Sequence, residues 1–166
     1  MNETYKVQVQ GLVDDLKAVF THAGLGGEAG EYKLLTQSFL YKFLNDKFLY
    51  QAKNLDESNT YENLLAMSEE DYDWLLEDIG TSTAWLKPDQ LIESLHRQQN
   101  EPSFYETFEN TLNQIAIDNN DIFSVHTDGD TAIRLFDERL ITDTISDSSK
   151  RNEVAKAIIN LLARTS

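Results

Sequence analysis

At 166 residues, with 40% hydrophobic side chains and a formal net charge of −15, the chain has the size and apolar content of one globular domain, able to bury about 70% of its unfolded surface. The absence of cysteine excludes a disulfide framework, a thiolate nucleophile and a cysteine-based zinc site, and fits a reducing cytosol. The opening MNETYKVQVQ has no basic segment followed by an apolar run, and no uncharged apolar run approaches the roughly 18 residues of a membrane span, so a cytoplasmic protein with neither signal peptide nor membrane contact is expected.

The first helix is predicted over 4–23, where Val9, Leu12, Val13, Leu16 and Phe20 recur at three- and four-residue steps. Gly24 stands where a left-handed stop belongs. A second helix is expected over about 28–53. Its apolar residues fall on two sides: Tyr32, Leu35, Phe39, Phe43 and Tyr50 on one, Leu34, Tyr41, Leu44 and Phe48 nearly opposite. A helix apolar on two sides is buried from two sides, which makes it the central helix of the fold. A short helix is expected over 55–67. Ser68-Glu69-Glu70-Asp71 then resembles a capping box, with Asp in the place of Glu or Gln, ahead of Tyr72, Leu75, Leu76 and Ile79. Gly80 ends that helix.

The run TSTAWLK reads as extended, because Pro88 biases Lys87 away from helical angles and itself suits a first helical turn. A helix over 88–98 follows. Pro102-Ser103 opens another, carrying Phe104, Phe108, Leu112 and Ile115. Asp128-Gly129 between two β-prone runs predicts a hairpin over about 121–136. The closing helix, 148–163, carries Val154, Ala155, Ile158, Leu161 and Leu162. No repeat, low-complexity tract or linker interrupts the chain. The expected fold is mainly α: a single domain over 1–166, a multi-helix bundle around a central buried helix (about 28–53), with one small β-hairpin (about 121–136).

The stretch AGLGGEAGEY contains G-x-G-x-x-A, the spacing of a dinucleotide-binding turn. Such a turn needs a strand before it and an open, positive helix N-terminus after it. Here the preceding residues are helix-periodic, and Glu28 and Glu31 already sit at the positive end of the following helix, where they would repel a phosphate. The glycines read as a joint between helices, and no cofactor-binding residue is assigned. His22, His96 and His126 lie far apart, without a helical His or Cys neighbour, so no metal ligand is assigned. No G-x-S-x-G or P-loop pattern occurs, and no catalytic residue is assigned. The aromatic run SFLYKFLNDKFLY has the chemistry to stack bases, yet at helical spacing it reads as core. Lys33, Lys42 and Lys47 point in different directions around that helix, forming no single basic stripe.

Charge is unevenly distributed. Residues 1–53 balance six basic against six acidic side chains, 54–86 hold nine acids and no Lys or Arg, and 87–166 hold eight bases and fourteen acids. A free-standing DNA-binding domain shows the opposite sign, since phosphate neutralisation supplies most non-specific affinity. The acids are either a solvated, solubilising surface or an interface for a basic partner.

The segment GGEAGEYKLLTQSFLYKFLNDKF resembles the signature helix in the N-terminal domain of type I restriction-modification DNA methyltransferase (modification) subunits. That signature has Glu-Tyr-Lys, an apolar run, then Phe/Leu-Lys-Phe/Tyr-Leu/Ile-Asn/Ser-Asp-Lys/Arg-Phe. It maps onto Glu31-Tyr32-Lys33 and onto Leu40-Tyr41-Lys42-Phe43-Leu44-Asn45-Asp46-Lys47-Phe48. LITDTISDSSKRNEVAKAIINLL is similar to the segment preceding the catalytic domain in that family, and the order of helices, hairpin and final helix agrees. The first helix departs, with LKAVF where a Trp is frequent.

The resemblance implies a helical accessory domain of an enzyme that methylates adenine N6 with S-adenosylmethionine. The family's catalytic domain carries a Gly-rich cofactor loop and an Asn-Pro-Pro-Tyr or Phe motif beside the flipped adenine. The prolines of this chain are Pro88 and Pro102, never adjacent, so nothing catalytic carries over, and the chain corresponds to the portion before that domain. The implied role is to help close the assembly around DNA and to contact its own catalytic domain, the specificity subunit, a second modification subunit and the restriction subunit. Lys33, Lys42 and Lys47, inside the matching motif, are the candidates for DNA or partner contact. The charge pattern leaves two other readings: a free-standing acidic DNA mimic, or a protein-interaction module.

Overall fold

The helix ends at Gly24, Ser68 and Gly80 fall where the chain supplies a glycine or a side-chain acceptor. The computed structural model describes residues 3–120, 125–126, 132–133, 136 and 139–164. The described helices are α1 (Glu3–His22), α2 (Ala29–Leu55), α3 (Tyr61–Ala66), α4 (Glu69–Ile79), α5 (Ile92–Arg97), α6 (Phe104–Asp118), α7 (Leu140–Thr144) and α8 (Ser148–Arg164). Gly24, at φ +86°, closes α1 with its N–H donating to the Thr21 carbonyl at 3.0 Å, a conformation that costs glycine nothing. Ser68 Oγ accepts the Asp71 N–H at 3.1 Å, as the capping pattern predicts. Gly80, at φ +65°, ends α4.

Three expectations need correction. The helix expected over 55–67 is confined to α3, because Asp56 Oδ1 accepts the N–H and hydroxyl of Ser58 and turns the chain first. Those bonds hold the Asp56 carboxyl below its usual pKa, and Thr60 then caps α3. The helix expected over 88–98 is split into a 3₁₀ turn (Pro88–Gln90) and α5, with Leu91 extended between them. Of the hairpin expected over about 121–136, the Asp128-Gly129 turn lies outside the described residues. Val125–His126 (β1) and Ala132–Ile133 (β2) pair antiparallel, but two residues a side fall short of an ordinary strand of about five or six. The hairpin is not supported as a structural unit, and the fold stands as mainly helical.

The core is shared by two long helices. α2 buries Leu34, Ser38, Tyr41, Leu44, Asn45, Phe48 and Ala52 against α1, α4, α7 and α8. α8 buries Val154, Ala155, Ile158, Ile159 and Leu162, packing against α1, α5, α6 and α7. The expectation of a central helix buried from two sides is therefore corrected: one stripe of α2 is covered. On the other, Tyr32, Phe43 and Tyr50 are 72%, 55% and 64% exposed. The helices that pack on α2 gather on the Leu34–Ala52 stripe; on the opposite one Leu35 and Phe39 are partly buried against the core, and the three aromatics are left to solvent.

A strap over 81–91, outside any α-helix and ending in the 3₁₀ turn and Leu91, runs through this core, burying Thr83, Ala84, Leu86, Gln90 and Leu91. Buried backbone outside a helix or sheet has to find other hydrogen-bond partners, and helix side chains provide them. Tyr72 of α4 donates its hydroxyl to the Leu86 carbonyl. Tyr41 of α2 donates to the Gln90 carbonyl at 2.6 Å. Asn119, just past α6, accepts the Trp85 N–H at 2.7 Å and donates to the Trp85 carbonyl at 2.9 Å. Asn45 Oδ1 accepts the Ile92 N–H at 2.9 Å. The break at Leu91 follows, because α2 side chains hold the backbone polar groups on either side of it.

Burial pushes the Tyr41 and Tyr72 hydroxyls well above their ordinary pKa of 10.0, and the nearby Asp89 charge adds to the effect. A raised folded-state pKa means that the native state holds its proton where the unfolded chain has lost it. The stability these phenols contribute is complete below pH 10.0 and falls above it, by about 1.4 kcal/mol per pH unit for each. Urea unfolding measured at neutral pH and in steps above pH 10 should show that loss, and Tyr41→Phe should reduce its slope.

Glu109 of α6, 5% exposed, joins α6 to α7. Its Oε2 accepts the Ile141 and Thr142 N–H groups, both at 3.0 Å, and its Oε1 accepts the Thr142 hydroxyl at 2.8 Å. Glu109→Ala strands these donors beneath α6 and should cost about 1–3 kcal/mol, read as a lower urea midpoint at unchanged slope.

Candidate functional site

The glycine joint has the geometry of a helix connection. It follows helix α1, not a strand, and the Gly27 N–H donates to Glu31 Oε2 at 2.9 Å, so a carboxylate stands where a phosphate would have to sit. A Cβ on Gly30 would meet Thr144 Cβ at 3.4 Å, which lets α2 start close against α7. Among the described residues no group of three His, Asp or Glu side chains could hold a metal ion. His22 ends α1 and is exposed, and His96 lies in α5, half-buried; the His126 side chain lies outside the described residues. No described helix is long and apolar enough to cross a membrane.

An open groove of about 770 Å³ lies between the first turns of α1 and the middle of α2. Phe39, Phe43, Asp46 and Tyr50 line it from α2 at spacings of four, three and four, which places them on one helical stripe. Tyr5 and Val9 line it from α1, four residues apart.

Lys6, Lys42 and Lys47 also border the groove. Lys42 Nζ pairs with Asp46 Oδ2 at 3.2 Å, and Lys47 Nζ lies 5.7 Å from the centre of the Phe43 ring, within cation–π range. The groove therefore holds three ammonium groups against one carboxylate, on a chain whose net charge is −15.

Of the three lysines singled out in the sequence, the fold brings Lys42 and Lys47 to one groove and leaves Lys33 outside its lining. Lys33 is exposed near the start of α2. Lys42 and Lys47, five positions apart, sit about 140° apart around the helix, so they form no single basic stripe and flank the aromatic one from its two sides. Tyr5 and Lys6 escape the sequence reading; their signal was Tyr5, one turn ahead of Val9 on the same face of α1.

A second surface has the opposite character. All nine carboxylates of 54–86 are exposed. Tyr72, Leu75, Leu76 and Ile79 are the buried side of α4, whereas Trp74 is 60% exposed. Within one turn of Trp74 lie Glu70, Asp71, Asp73, Glu77 and Asp78, so an indole stands in a ring of acids.

The two faces of α2 should separate under mutation. Phe43→Ser and Tyr50→Ser are surface changes and should move stability by no more than about 0.5 kcal/mol. Phe48→Ala, on the covered stripe, should cost about 3–5 kcal/mol. Urea midpoints of the three variants measure the contrast.

Compared with known proteins, the chain matches no family model, no curated protein and no solved structure.

Proposed function

We propose that the chain is the N-terminal helical accessory domain of a type I restriction-modification adenine-N6 DNA methyltransferase subunit, serving subunit assembly and DNA clamping. One observation carries the reading beyond the motif itself. The helix that bears Glu31-Tyr32-Lys33 and 40–48 shows solvent an aromatic stripe, Tyr32, Phe43 and Tyr50, with Lys42 and Lys47 on its two sides. Large exposed aromatics in a row mark a surface meant to be covered. In this reading the covering surfaces belong to the catalytic domain, the specificity subunit, a second modification subunit and the restriction subunit, in the cytoplasm. S-adenosylmethionine binds the catalytic domain. Lys33, Lys42 and Lys47 are the candidates for contact with DNA or a partner. The acidic balance fits an auxiliary part, with most DNA-neutralising charge supplied by the other subunits.

The exposure of all nine carboxylates in 54–86 favours a second reading, a free-standing acidic inhibitor that presents DNA-like charge to a basic partner. The reading frame downstream of the Ser166 codon separates the two. The methyltransferase reading expects an open frame encoding a strand, a Gly-rich loop and Asn-Pro-Pro-Tyr or Phe. A stop codon at that point overturns it and leaves the acidic inhibitor.

A further inference from the structure

We propose that the α1–α2 groove of one copy takes up the Trp74 face of α4 from a second copy of the chain. Each surface has what the other lacks. The groove offers the aromatic rings of Tyr5, Phe43 and Tyr50 and an excess of lysine; α4 offers an exposed indole ringed by acids, in a stretch with no Lys or Arg. Trp74, Phe43 and Tyr50 are all more than half exposed, so the chain itself leaves them largely uncovered.

Electrostatics selects this contact over others between copies. Two chains of −15 each repel wherever acid faces acid, over a screening length of about 8 Å at physiological salt. A lysine-bordered groove against the acidic helix reverses that sign locally. The indole then supplies the kind of anchor that dominates protein interfaces, and desolvating it against Phe43 and Tyr50 strengthens the flanking charge pairs. The two surfaces differ, so a pair joined through one such contact keeps one unused groove, on one copy, and one unused α4, on the other, and assembly proceeds beyond the pair unless the geometry closes a ring.

This inference deepens the assembly reading by naming the second copy as occupant of the groove, and it is tested without the rest of that reading. Sedimentation equilibrium of the 166-residue chain at physiological salt should give an average mass that rises with protein concentration. Trp74→Ala and Phe43→Asp should each abolish the rise. Both positions are exposed, and unchanged circular dichroism and urea midpoints confirm that the variants fold. Mixing the two variants restores one intact groove and one intact α4, and should give a one-to-one pair that grows no further.

A chain that stays monomeric up to about 1 mM overturns the proposal. So does association that survives Trp74→Ala or Phe43→Asp, or a mixture of the two that stays monomeric. If self-association fails while the frame beyond Ser166 encodes the catalytic motifs, the groove assignment falls and the methyltransferase reading stands. If self-association holds and the frame stops, the reverse is true.

Discussion

A polypeptide that crosses a hydrophobic core outside a helix or sheet has to leave none of its backbone polar groups stranded. In this protein that constraint falls on the strap over 81–91, and the helices are arranged to meet it. Tyr41 and Asn45 reach it from α2, Tyr72 from α4, and Asn119 from the end of α6. One segment thus ties together helices that are distant in sequence. The bonds are mostly to backbone, so they set where the strap lies independently of which side chains it carries. They also explain why buried tyrosines and asparagines sit among the leucines: each is a hydrogen-bond donor or acceptor delivered to a fixed point.

Glu109 repeats the device at smaller scale. A buried carboxylate is costly unless its oxygens are occupied, and this one is occupied by two N–H groups and the Thr142 hydroxyl at the start of α7. α7 and the strap both lie beside α2, and together with α4, α1 and α8 they account for its covered side. That leaves the Tyr32, Phe43 and Tyr50 stripe outside. The exposed surface of α2 is thus a consequence of where the polar tethers pull the other elements.

The molecule shows two contrasting faces as a result. A groove lined by aromatics and lysines lies between α1 and α2, and a row of carboxylates around Trp74 lies on α4. Leu12 and Phe39 tie the groove to the core, whereas Phe43, Tyr50 and Trp74 stay exposed and are not explained by folding. Both faces are surfaces with room for a partner, which is the feature that the proposed assembly role draws on.

Much of the helical order was legible in the sequence. The three- and four-residue spacing of Leu12, Leu16 and Phe20, of Phe104, Phe108 and Leu112, and of Val154, Ile158 and Leu162 identifies helices whose buried faces the structure bears out. Gly24, Ser68 and Gly80 mark ends because their effects are local: a positive φ, or an oxygen three residues from an N–H. Periodicity also showed that α2 is apolar on two sides, but it carries no information about whether another helix lies on each. That depends on tertiary placement, and it decided that Phe48 is core while Phe43 is surface. The same limit hid the break at Leu91, which is held by side chains from 45 or more positions away, and it hid the grouping of Lys6 with Lys42 and Lys47. The sequence by itself determined the long helices and that negative charge is concentrated in 54–86, because these rest on neighbours along the chain. Only the tertiary structure decided which apolar face is buried and which lysines share a groove, because these depend on contacts between residues that the chain keeps far apart.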